Sequence, residues 1–297
     1  MAKIIEFFGP PGVGKSTIFK EIELRRKKNF KWITSKYWDP ATFQQNKYFS
    51  FNFCKRLIRK SDADSIKLRD AANRFIVQYP EFIDACWQTI IHKHKVSHNK
   101  LDIRFQKAIH LQTQIQKIQM SREDDVDKVC LLDEGAVHLI PNALYKSSNL
   151  LEEYEEIRSL INIIPLPEAI ISIDADAKEI AQRLSKRSKV ISMYKNLDIS
   201  ELEMLSEIDR ERRSIILNIL ESHGMSVLKI DSGLDIATNA ERIISFMDTG
   251  ASANFTTGNL AGFDLHSKAI GINGLDKTVN VFAKIKHGPG IDSDIYK

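Results

Sequence analysis

Nine consecutive residues near the amino terminus have the types and spacing needed to hold a phosphate group. Residues 9–17 read Gly-Pro-Pro-Gly-Val-Gly-Lys-Ser-Thr and match the pattern G-x-x-x-x-G-K-[ST]. Glycines let the backbone curl until successive N–H groups point at one anion, and a following helix adds its positive end. The sequence therefore predicts a polyphosphate-binding loop made of Gly9, Pro10, Pro11, Gly12, Val13, Gly14, Lys15, Ser16 and Thr17.

Two polar side chains of this loop have separate tasks. Lys15 can reach the β- and γ-phosphates of a nucleotide as a positive charge, and the hydroxyl of Ser16 can ligate Mg²⁺. The alternative is a glycine turn with an incidental lysine, which the apolar run before the loop and the helical pattern after it disfavour. ATP and Mg²⁺ are therefore the predicted cofactors.

A second candidate site follows another apolar run, residues 126–132, which continues into Asp133, Glu134 and glycine. An aspartate at the end of a buried strand can hold Mg²⁺ directly or through water, so Asp133 is a predicted metal ligand and catalytic residue. A turn or helix-cap aspartate is the alternative. Glu134 is predicted to orient or deprotonate an acceptor or to activate water, and an ordinary loop carboxylate is its alternative.

Two arginines form the third candidate catalytic site. Arg183 and Arg187 lie four residues apart in segment 177–187, which has the pattern of a basic helix. Residues at this spacing share a helix face, and two guanidinium groups there can bind phosphoryl oxygens and stabilise the transferring group. A solvated basic helix is the alternative.

Alternating strands and helices supply the framework that would position these residues. This alternation predicts an α/β P-loop NTPase fold: a three-layer sandwich with a parallel sheet, a helical acceptor and lid region, and a small C-terminal β appendage. The segment 64–120 is helical in pattern, with breaks near residue 80 and residues 97–99. Predicted strands span residues 3–8, 31–37, 126–132, 169–173 and 227–230, and predicted helices span 15–28, 150–161, 177–187, 199–223 and 236–246.

The composition divides the chain after residue 248. Residues 1–248 are predicted to form the P-loop domain, with 64–122 as a helical subdomain on the acceptor side. Residues 249–297 are rich in glycine, and Asn273-Gly274 lies between two apolar runs. They predict a flexible linker with a small β appendage, or alternatively a tail.

Charge, apolar runs and cysteines exclude several classes of function. The net charge is +4, which is too small to predict a specific nucleic-acid partner. No apolar run approaches the roughly 18 residues of a membrane span. The three cysteines lack metal-site spacing, and Cys130 lies in an apolar run, so a reducing, cytoplasmic location is predicted.

The order of these parts resembles the nucleoside and nucleotide kinases, in particular their thymidylate kinase-like branch. In that family a P-loop opens the chain, an aspartate-containing strand end follows the helices of the acceptor site, and a lid helix with spaced arginines comes next. The chain follows this order over residues 3–247. It departs from the branch at Glu134, where thymidylate kinases have arginine, and it shows no clear thymidine pocket.

The resemblance implies further site residues and a reaction. By analogy, Asp39 would contact the acceptor, Arg74 would clamp an acceptor phosphate, and Asp231 would lie near the base of the bound nucleotide. The implied function is ATP- and Mg²⁺-dependent phosphoryl transfer to a small-molecule acceptor, a nucleotide, nucleoside, sugar or other alcohol. The resemblance also implies a homodimer as an alternative to a monomer.

The alternative function is a nucleotide-hydrolysing regulatory NTPase or a nucleotide-binding switch module. The Asp133-Glu134 pair suits it, because a glutamate beside the metal-binding aspartate can polarise water. No ABC-type signature such as L-S-G-G-Q occurs, which argues against this alternative. Residues 99–102 match the guanine-reading N-K-x-D pattern, but they precede Asp133 rather than follow it, which favours ATP over GTP.

Overall fold

The structure, a computed structural model, describes residues 3–25, 32–34, 66–92, 101–123, 129–143, 150–187, 194 and 197–250. Its strands are β1 (Lys3–Phe8), β2 (Trp32–Thr34), β3 (Val129–Leu132), β4 (Ala169–Asp174) and β5 (Ser226–Asp231). Its helices are α1 (Lys15–Arg25), α2 (helical residues 66–78), α3 (Pro80–His92), α4 (Leu101–Glu123), α5 (Ala136–Ala143), α6 (Leu150–Ile163), α7 (Ala177–Ser185), α8 (Ile199–Ser222) and α9 (Ile236–Gly250).

The described strands form one sheet in the order β2-β3-β1-β4-β5, and every neighbouring pair is parallel. Parallel strands end at a common edge, and ligands of open α/β sheets bind outside that edge. We call it the carboxyl edge. Because β1 lies between β3 and β4, the glycine loop after β1 is flanked there by Asp133 and by the residues that follow β4.

Side chains of β1 alternate between two apolar cores, because successive residues of a strand face opposite sides of a sheet. Ile4 and Phe8 join a core that includes residues of α2–α6 and α8, whereas Ile5 and Phe7 join a core that includes residues of α1, α7 and α9. The fold is therefore the predicted three-layer α/β sandwich, with a parallel sheet between two helical layers.

Most strand boundaries agree with those predicted from the sequence. β1 spans the predicted residues, β2 and β3 lie inside their predicted ranges, β4 is one residue longer at its end, and β5 is one residue longer at each end. Helix α5 was not predicted, because its eight residues include Pro141, which lacks the N–H group of a helix interior. The first two residues of the predicted C-terminal appendage, residues 249–297, lie in α9, and residues 251–297 lie outside the described part of the chain.

A capping box positions the long helix α8, which carries Arg213 of the site. The side chain of Asp198 accepts a hydrogen bond from the backbone N–H of Glu201 at 2.9 Å, and the Glu201 carboxylate accepts from the backbone N–H of Asp198 at 2.8 Å. These reciprocal bonds satisfy donors that a helix start leaves unpaired. At the other end Gly224 has a positive φ of 83°, which agrees with the predicted stop.

Two observations bear on the composition-based predictions. Within the described residues, no helix combines the length and apolar character that a bilayer crossing requires. Cys130 lies fully buried in β3, as the sequence predicts. Burial also raises the pKa of the Cys86 thiol to about 12, so this cysteine is an unreactive packing residue.

Candidate active site

The glycine loop joins β1 to α1 and has the backbone shape of an anion-binding nest. Gly12 and Gly14 have positive φ angles of 85° and 103°, which residues with side chains rarely adopt. A Cβ atom at Gly9 would overlap the carbonyl oxygen of Ile173, because β4 passes close to that glycine. The loop therefore requires glycine at these three positions, as a nest that binds phosphate does.

Lys15 is the first residue of α1 and is 9% exposed. Its Nζ donates to the carbonyl oxygens of Gly9 at 2.6 Å and Pro10 at 3.0 Å. Burial, followed by the positive charge of Arg213, lowers the pKa of Lys15 to about 8, although nearby carboxylates oppose this shift. An anion bound in the loop would stabilise the charged form of this buried amine, so its placement suits a phosphate partner.

The turn that contains Asp133 lies beside the loop, because β3 pairs with β1. The negative charges of Asp133 and Glu134 both raise the pKa of Lys15, so the two carboxylates and the lysine share one electrostatic site. Asp133 directly follows Leu132, the last residue of β3. The structure thus brings together the loop lysine and the predicted metal ligand.

Glu6, which the sequence analysis does not single out, anchors that turn. It is fully buried in β1 and accepts hydrogen bonds from the backbone N–H groups of Val137 at 3.1 Å and His138 at 2.7 Å, and from that of Gly135. Its carboxylate therefore caps the start of α5. A Cβ atom at Gly135 would overlap it. Burial outweighs these bonds and raises the pKa of Glu6 to about 7. An acid inside an otherwise apolar strand was the available sequence signal.

Three polar side chains surround Glu134. Nε2 of Gln114 donates to Oε2 at 3.0 Å, while Nε2 of His138 lies 3.6 Å from Oε1 and Nε2 of His110 lies 3.9 Å from Oε2. Burial is the main cause that lowers the pKa of both histidines, and it therefore favours their neutral forms. Glu134 is therefore a partly exposed carboxylate held from its buried sides.

Arg213 on α8 is another residue that the sequence analysis does not single out. Its guanidinium carbon lies 4.9 Å from the centre of the Phe8 ring, and its Nε donates to Asp209 at 3.0 Å. Its Nη1 is buried without a hydrogen-bond partner in the described part of the chain. Arg213 also lines a groove of about 720 Å³ beside Gly9 and lowers the pKa of Lys15. A buried, unpaired donor thus lies near the loop lysine.

Arg183 of α7 connects the loop to the segment after β5. Its Nη1 donates to the carbonyl oxygen of Val13 at 2.9 Å and to the hydroxyl of Ser232 at 2.8 Å, and its Nη2 donates to Glu179. Asp231, which ends β5, directly precedes this serine. The guanidinium of Arg183 is therefore bound against the loop.

The predicted helix 177–187, which was expected to present Arg183 and Arg187 on one face, is two residues shorter in the structure. Helix α7 ends at Ser185, and the backbone N–H of Arg187 bonds to the carbonyl of Leu184 at 3.2 Å. Such a bond to the third preceding residue tightens the last turn and ends the helical repeat. Arg187 therefore lies beyond the helix, where it is exposed.

The residues proposed by family analogy for the acceptor have different outcomes. Asp39 lies outside the residues that the structure describes. Arg74 of α2 makes two hydrogen bonds of 2.5 Å to Glu123, the last residue of α4. The neighbouring Arg122 donates to the carbonyl of Leu166, which precedes β4. The ion pair of Arg74 and Glu123 therefore lies toward the amino edge of the sheet, on the side opposite the glycine loop. This position does not support the acceptor role of Arg74.

The residues present fit a magnesium ion that is bound mainly through nucleotide phosphates. Ser16 is exposed at the start of α1, and Asp133 follows the adjacent strand. Over the described ranges, no three histidine, cysteine, aspartate or glutamate side chains converge as a metal-binding group. Mg²⁺ needs only one or two protein ligands when phosphates and water supply the others, so this sparse set suffices.

No protein-family model and no curated protein matches the chain. Solved structures similar to it include deoxyadenosine kinase from M. mycoides with bound dATP, at 14% identity and a TM-score of 0.42, covering 83% of this chain and 100% of that one. They also include the shikimate kinase from Bacteroides thetaiotaomicron, at 10% identity and a TM-score of 0.40, covering 83% and 98%. Values this low assign neither a family nor a substrate, so the functional argument depends on the site itself.

Proposed function

We propose that the protein transfers the γ-phosphoryl group of ATP, with Mg²⁺, to a small-molecule acceptor. One observation carries this proposal: the positive-φ glycines Gly12 and Gly14 shape a nest next to buried Lys15, which shares its electrostatic site with two carboxylates from the adjacent strand end. Backbone amides, a lysine and a carboxylate that holds a metal ion form the arrangement that phosphoryl transfer requires. We also place the protein in the thymidylate kinase-like branch and in the cytoplasm, with the homodimer as an alternative to the monomer.

The nest and its lysine would bind the nucleotide phosphates. Lys15 would exchange the carbonyl oxygens of Gly9 and Pro10 for phosphate oxygens, which are stronger acceptors for an ammonium group. Ser16 and Asp133 would hold Mg²⁺, which supplies charge neutralisation at the phosphates.

Two arginines would take different tasks. Arg213 has a buried Nη1 without a hydrogen-bond partner among the described residues, and it lies near Lys15. We therefore assign to Arg213 the stabilisation of the negative charge that develops on the transferring group, because a pre-positioned donor has its largest effect there. Arg183 binds the loop carbonyl of Val13, so we assign it the support of the nest. Arg187, which is exposed beyond α7, is given no role at the phosphates.

The transfer step forms one bond and breaks another. The acceptor oxygen forms a bond to the γ-phosphorus, while the bond from that phosphorus to the β–γ bridging oxygen breaks and ADP leaves with the electron pair. The hydroxyl proton passes to the carboxylate of Glu134, which Gln114 holds in place. Positioning and charge neutralisation supply most of the rate.

Incubation with γ-labelled ATP, Mg²⁺ and panels of acceptors tests the proposal. We expect the label to appear in an acceptor and its release as free phosphate to be slow. Robust release of free phosphate with no labelled acceptor would contradict phosphoryl transfer.

That contrary outcome would favour the second candidate, a nucleotide-hydrolysing regulatory NTPase or a switch module. The position of Glu134 beside Asp133 is the observation in its favour, because the same carboxylate can polarise water. An inert switch would bind Mg·ATP in calorimetry without turnover of either kind.

A further inference from the structure

A groove of about 720 Å³ lies between α8 and the carboxyl ends of β4 and β5, and it reaches Gly9 and Pro10 of the glycine loop. We call it the α8 groove. It follows the β4 side of β1, whereas Asp133 and Glu134 follow the strand on the other side of β1. Pockets of this size commonly hold small molecules, and the transfer reaction proposed above assigns no ligand to this one.

The α8 groove contains a buried guanidinium group that lacks a full set of acceptors. Nε of Arg213 donates to Asp209 at 3.0 Å, and the guanidinium carbon lies 4.9 Å from the centre of the Phe8 ring. The side chain of Arg213 is 8% exposed, and its Nη1 has no hydrogen-bond partner among the described residues. A buried donor without an acceptor is destabilising, and guanidinium groups bind carboxylates and phosphates especially well. An oxyanion in the groove would supply the missing acceptor.

Two other cations that line the groove are paired with carboxylates. Arg210 donates to both carboxylate oxygens of Asp174 at 2.9 and 2.8 Å, and to Glu207 at 2.9 Å. Nζ of Lys229 lies 3.0 Å from a carboxylate oxygen of Glu221. The charges of Arg210 and Lys229 are therefore balanced by these partners.

The remaining charged side chains of the lining are exposed. Arg242 donates to a carbonyl oxygen of β5 at 3.3 Å, while Asp176 and Asp231 each accept a backbone N–H from two residues further along the chain, at 2.9 and 2.8 Å. Outside the lining, Lys15 lies close enough for the charge of Arg213 to lower its pKa, and nearby carboxylates oppose this shift. Positive and negative groups thus largely offset each other. The preference for an oxyanion depends on the unmatched Nη1 of Arg213 and not on net charge.

Uncharged polar side chains complete the lining of the groove. They are Ser172 of β4 with Ser214 and Asn218 of α8. Hydroxyl and amide groups both donate and accept hydrogen bonds, so they suit a ligand that carries several hydroxyl groups. Leu217 adds an apolar contact from α8.

We propose that the α8 groove binds a small hydroxylated oxyanion, a sugar acid or a sugar phosphate, whose charged group accepts a hydrogen bond from Nη1 of Arg213. Because the same guanidinium is assigned to the transferring phosphoryl group, the bound oxyanion inhibits transfer. The inhibition rests on the phosphoryl transfer proposed above, whereas the binding does not.

Three six-carbon probes that differ in their charged group test the ligand class: gluconate, glucose 6-phosphate and glucose. Each is titrated by calorimetry into protein saturated with Mg·ADP, which keeps the probes out of the glycine loop. We expect at least one oxyanion to bind about tenfold or more tightly than glucose, because only an oxyanion matches the guanidinium. Equal affinities for all three, or no heat from either oxyanion at about 10 mM, would overturn the proposal. Calorimetry needs no turnover, so this result is independent of phosphoryl transfer.

An ATP analogue that cannot be hydrolysed tests the inhibitory role. Its γ-phosphate would compete for Arg213, so the affinity for the oxyanion should be about tenfold lower with the magnesium complex of the analogue than with Mg·ADP. By linkage, the oxyanion should weaken binding of the analogue by the same factor. Equal oxyanion affinity in the two states would contradict inhibition through a shared arginine.

Asn218→Trp tests the location, because it fills the groove from an exposed position of α8. The affinity for the oxyanion should fall about tenfold or more, with an unchanged dissociation constant for Mg·ADP. Glu203→Trp introduces the same side chain at an exposed position of the same helix outside the groove, and it should change neither quantity. Undiminished oxyanion binding in Asn218→Trp would place the ligand elsewhere and overturn the proposal.

Arg213→Met tests the charged contact, because it removes the guanidinium and keeps a long side chain. The affinities for the oxyanion and for glucose should then agree within about twofold. A dissociation constant for Mg·ADP within a few fold of the wild-type value would show that the variant is folded. A retained preference for the oxyanion in the folded variant would contradict the assignment to Arg213.

Discussion

The proposed nucleotide side of the site and its proposed acceptor side are formed by different kinds of structure. The nucleotide side is one continuous loop, and its shape depends on glycine φ angles and on the buried Lys15. The acceptor side consists of side chains from α4 and α5 that converge on Glu134. The first therefore depends on local backbone geometry, whereas the second depends on the packing of helices that are distant in sequence. The comparison teaches that the two sides should respond differently to substitution.

The largest effect is expected on the nucleotide side. Lys15→Ala should lower turnover by about 10³-fold or more and weaken Mg·ATP binding, because the phosphates lose their buried point charge. Steady-state kinetics and calorimetry measure these quantities. Lys20→Ala, at an exposed position of the same helix, should change neither. Retained turnover in Lys15→Ala would refute the role of the loop and with it the comparison.

A smaller effect is expected where the two sides meet. Arg213→Met should lower the rate of transfer by about 100-fold and leave the affinity for Mg·ATP within a few fold, because its donor acts on the transferring group. Arg187→Met should leave the rate within about twofold, as is usual for an exposed side chain. A loss in Arg187→Met as large as that in Arg213→Met would restore the catalytic role of Arg187 that the end of α7 argues against.

Glu6→Gln tests the link between the two sides through stability. Burial raises the pKa of Glu6 to about 7, so the folded protein keeps a proton that the unfolded chain releases above the ordinary glutamate pKa of 4.5. This contribution to stability is therefore complete below pH 4.5 and is lost as the pH rises to about 7.

Urea denaturation at pH 5 and pH 8 measures that loss. The free energy of unfolding of the wild type, relative to Glu6→Gln, should fall by about 2 kcal/mol between the two values. Other carboxylates titrate in both proteins and cancel in the difference. The absence of any difference would show that Glu6 is ionised at both values.

The smallest effect is expected from the end of the chain. Removal of residues 251–297 should leave turnover within about twofold and the melting temperature within a few degrees, because α9 already ends the described fold at Gly250. Kinetics and thermal unfolding of the shortened protein measure this. Loss of folding would show that the two sides need a third segment.

The sequence predicts the glycine loop and the strand before it well, because the information for them is local. Residues 9–17 fit a motif whose glycines have one conformational reason, and β1 spans the predicted residues. The same reasoning predicts that Asp133 follows the end of β3, and the parallel pairing of β3 with β1 places this residue beside the loop.

The acceptor side could not be predicted, because its evidence lies in tertiary contacts. Pro141 concealed the short helix α5, and without that helix the capping role of Glu6 had no visible target. The orphaned Nη1 of Arg213 becomes apparent only when α8 packs against Phe8. The spacing of Arg183 and Arg187 was misleading, since periodicity does not show where a helix ends.

The hydrogen bonds that Glu6 accepts from the start of α5 also fix a distance within the site. β1 carries the phosphate nest and, through Glu6, the first turn of α5 beside Glu134, while β3 carries Asp133. The glycine loop and the predicted metal ligand thus follow neighbouring strands, whose separation in a sheet is about 4.8 Å. Because backbone hydrogen bonds set that spacing, the distance between the loop and Asp133 would stay constant even where the surrounding helices adjust to a bound substrate.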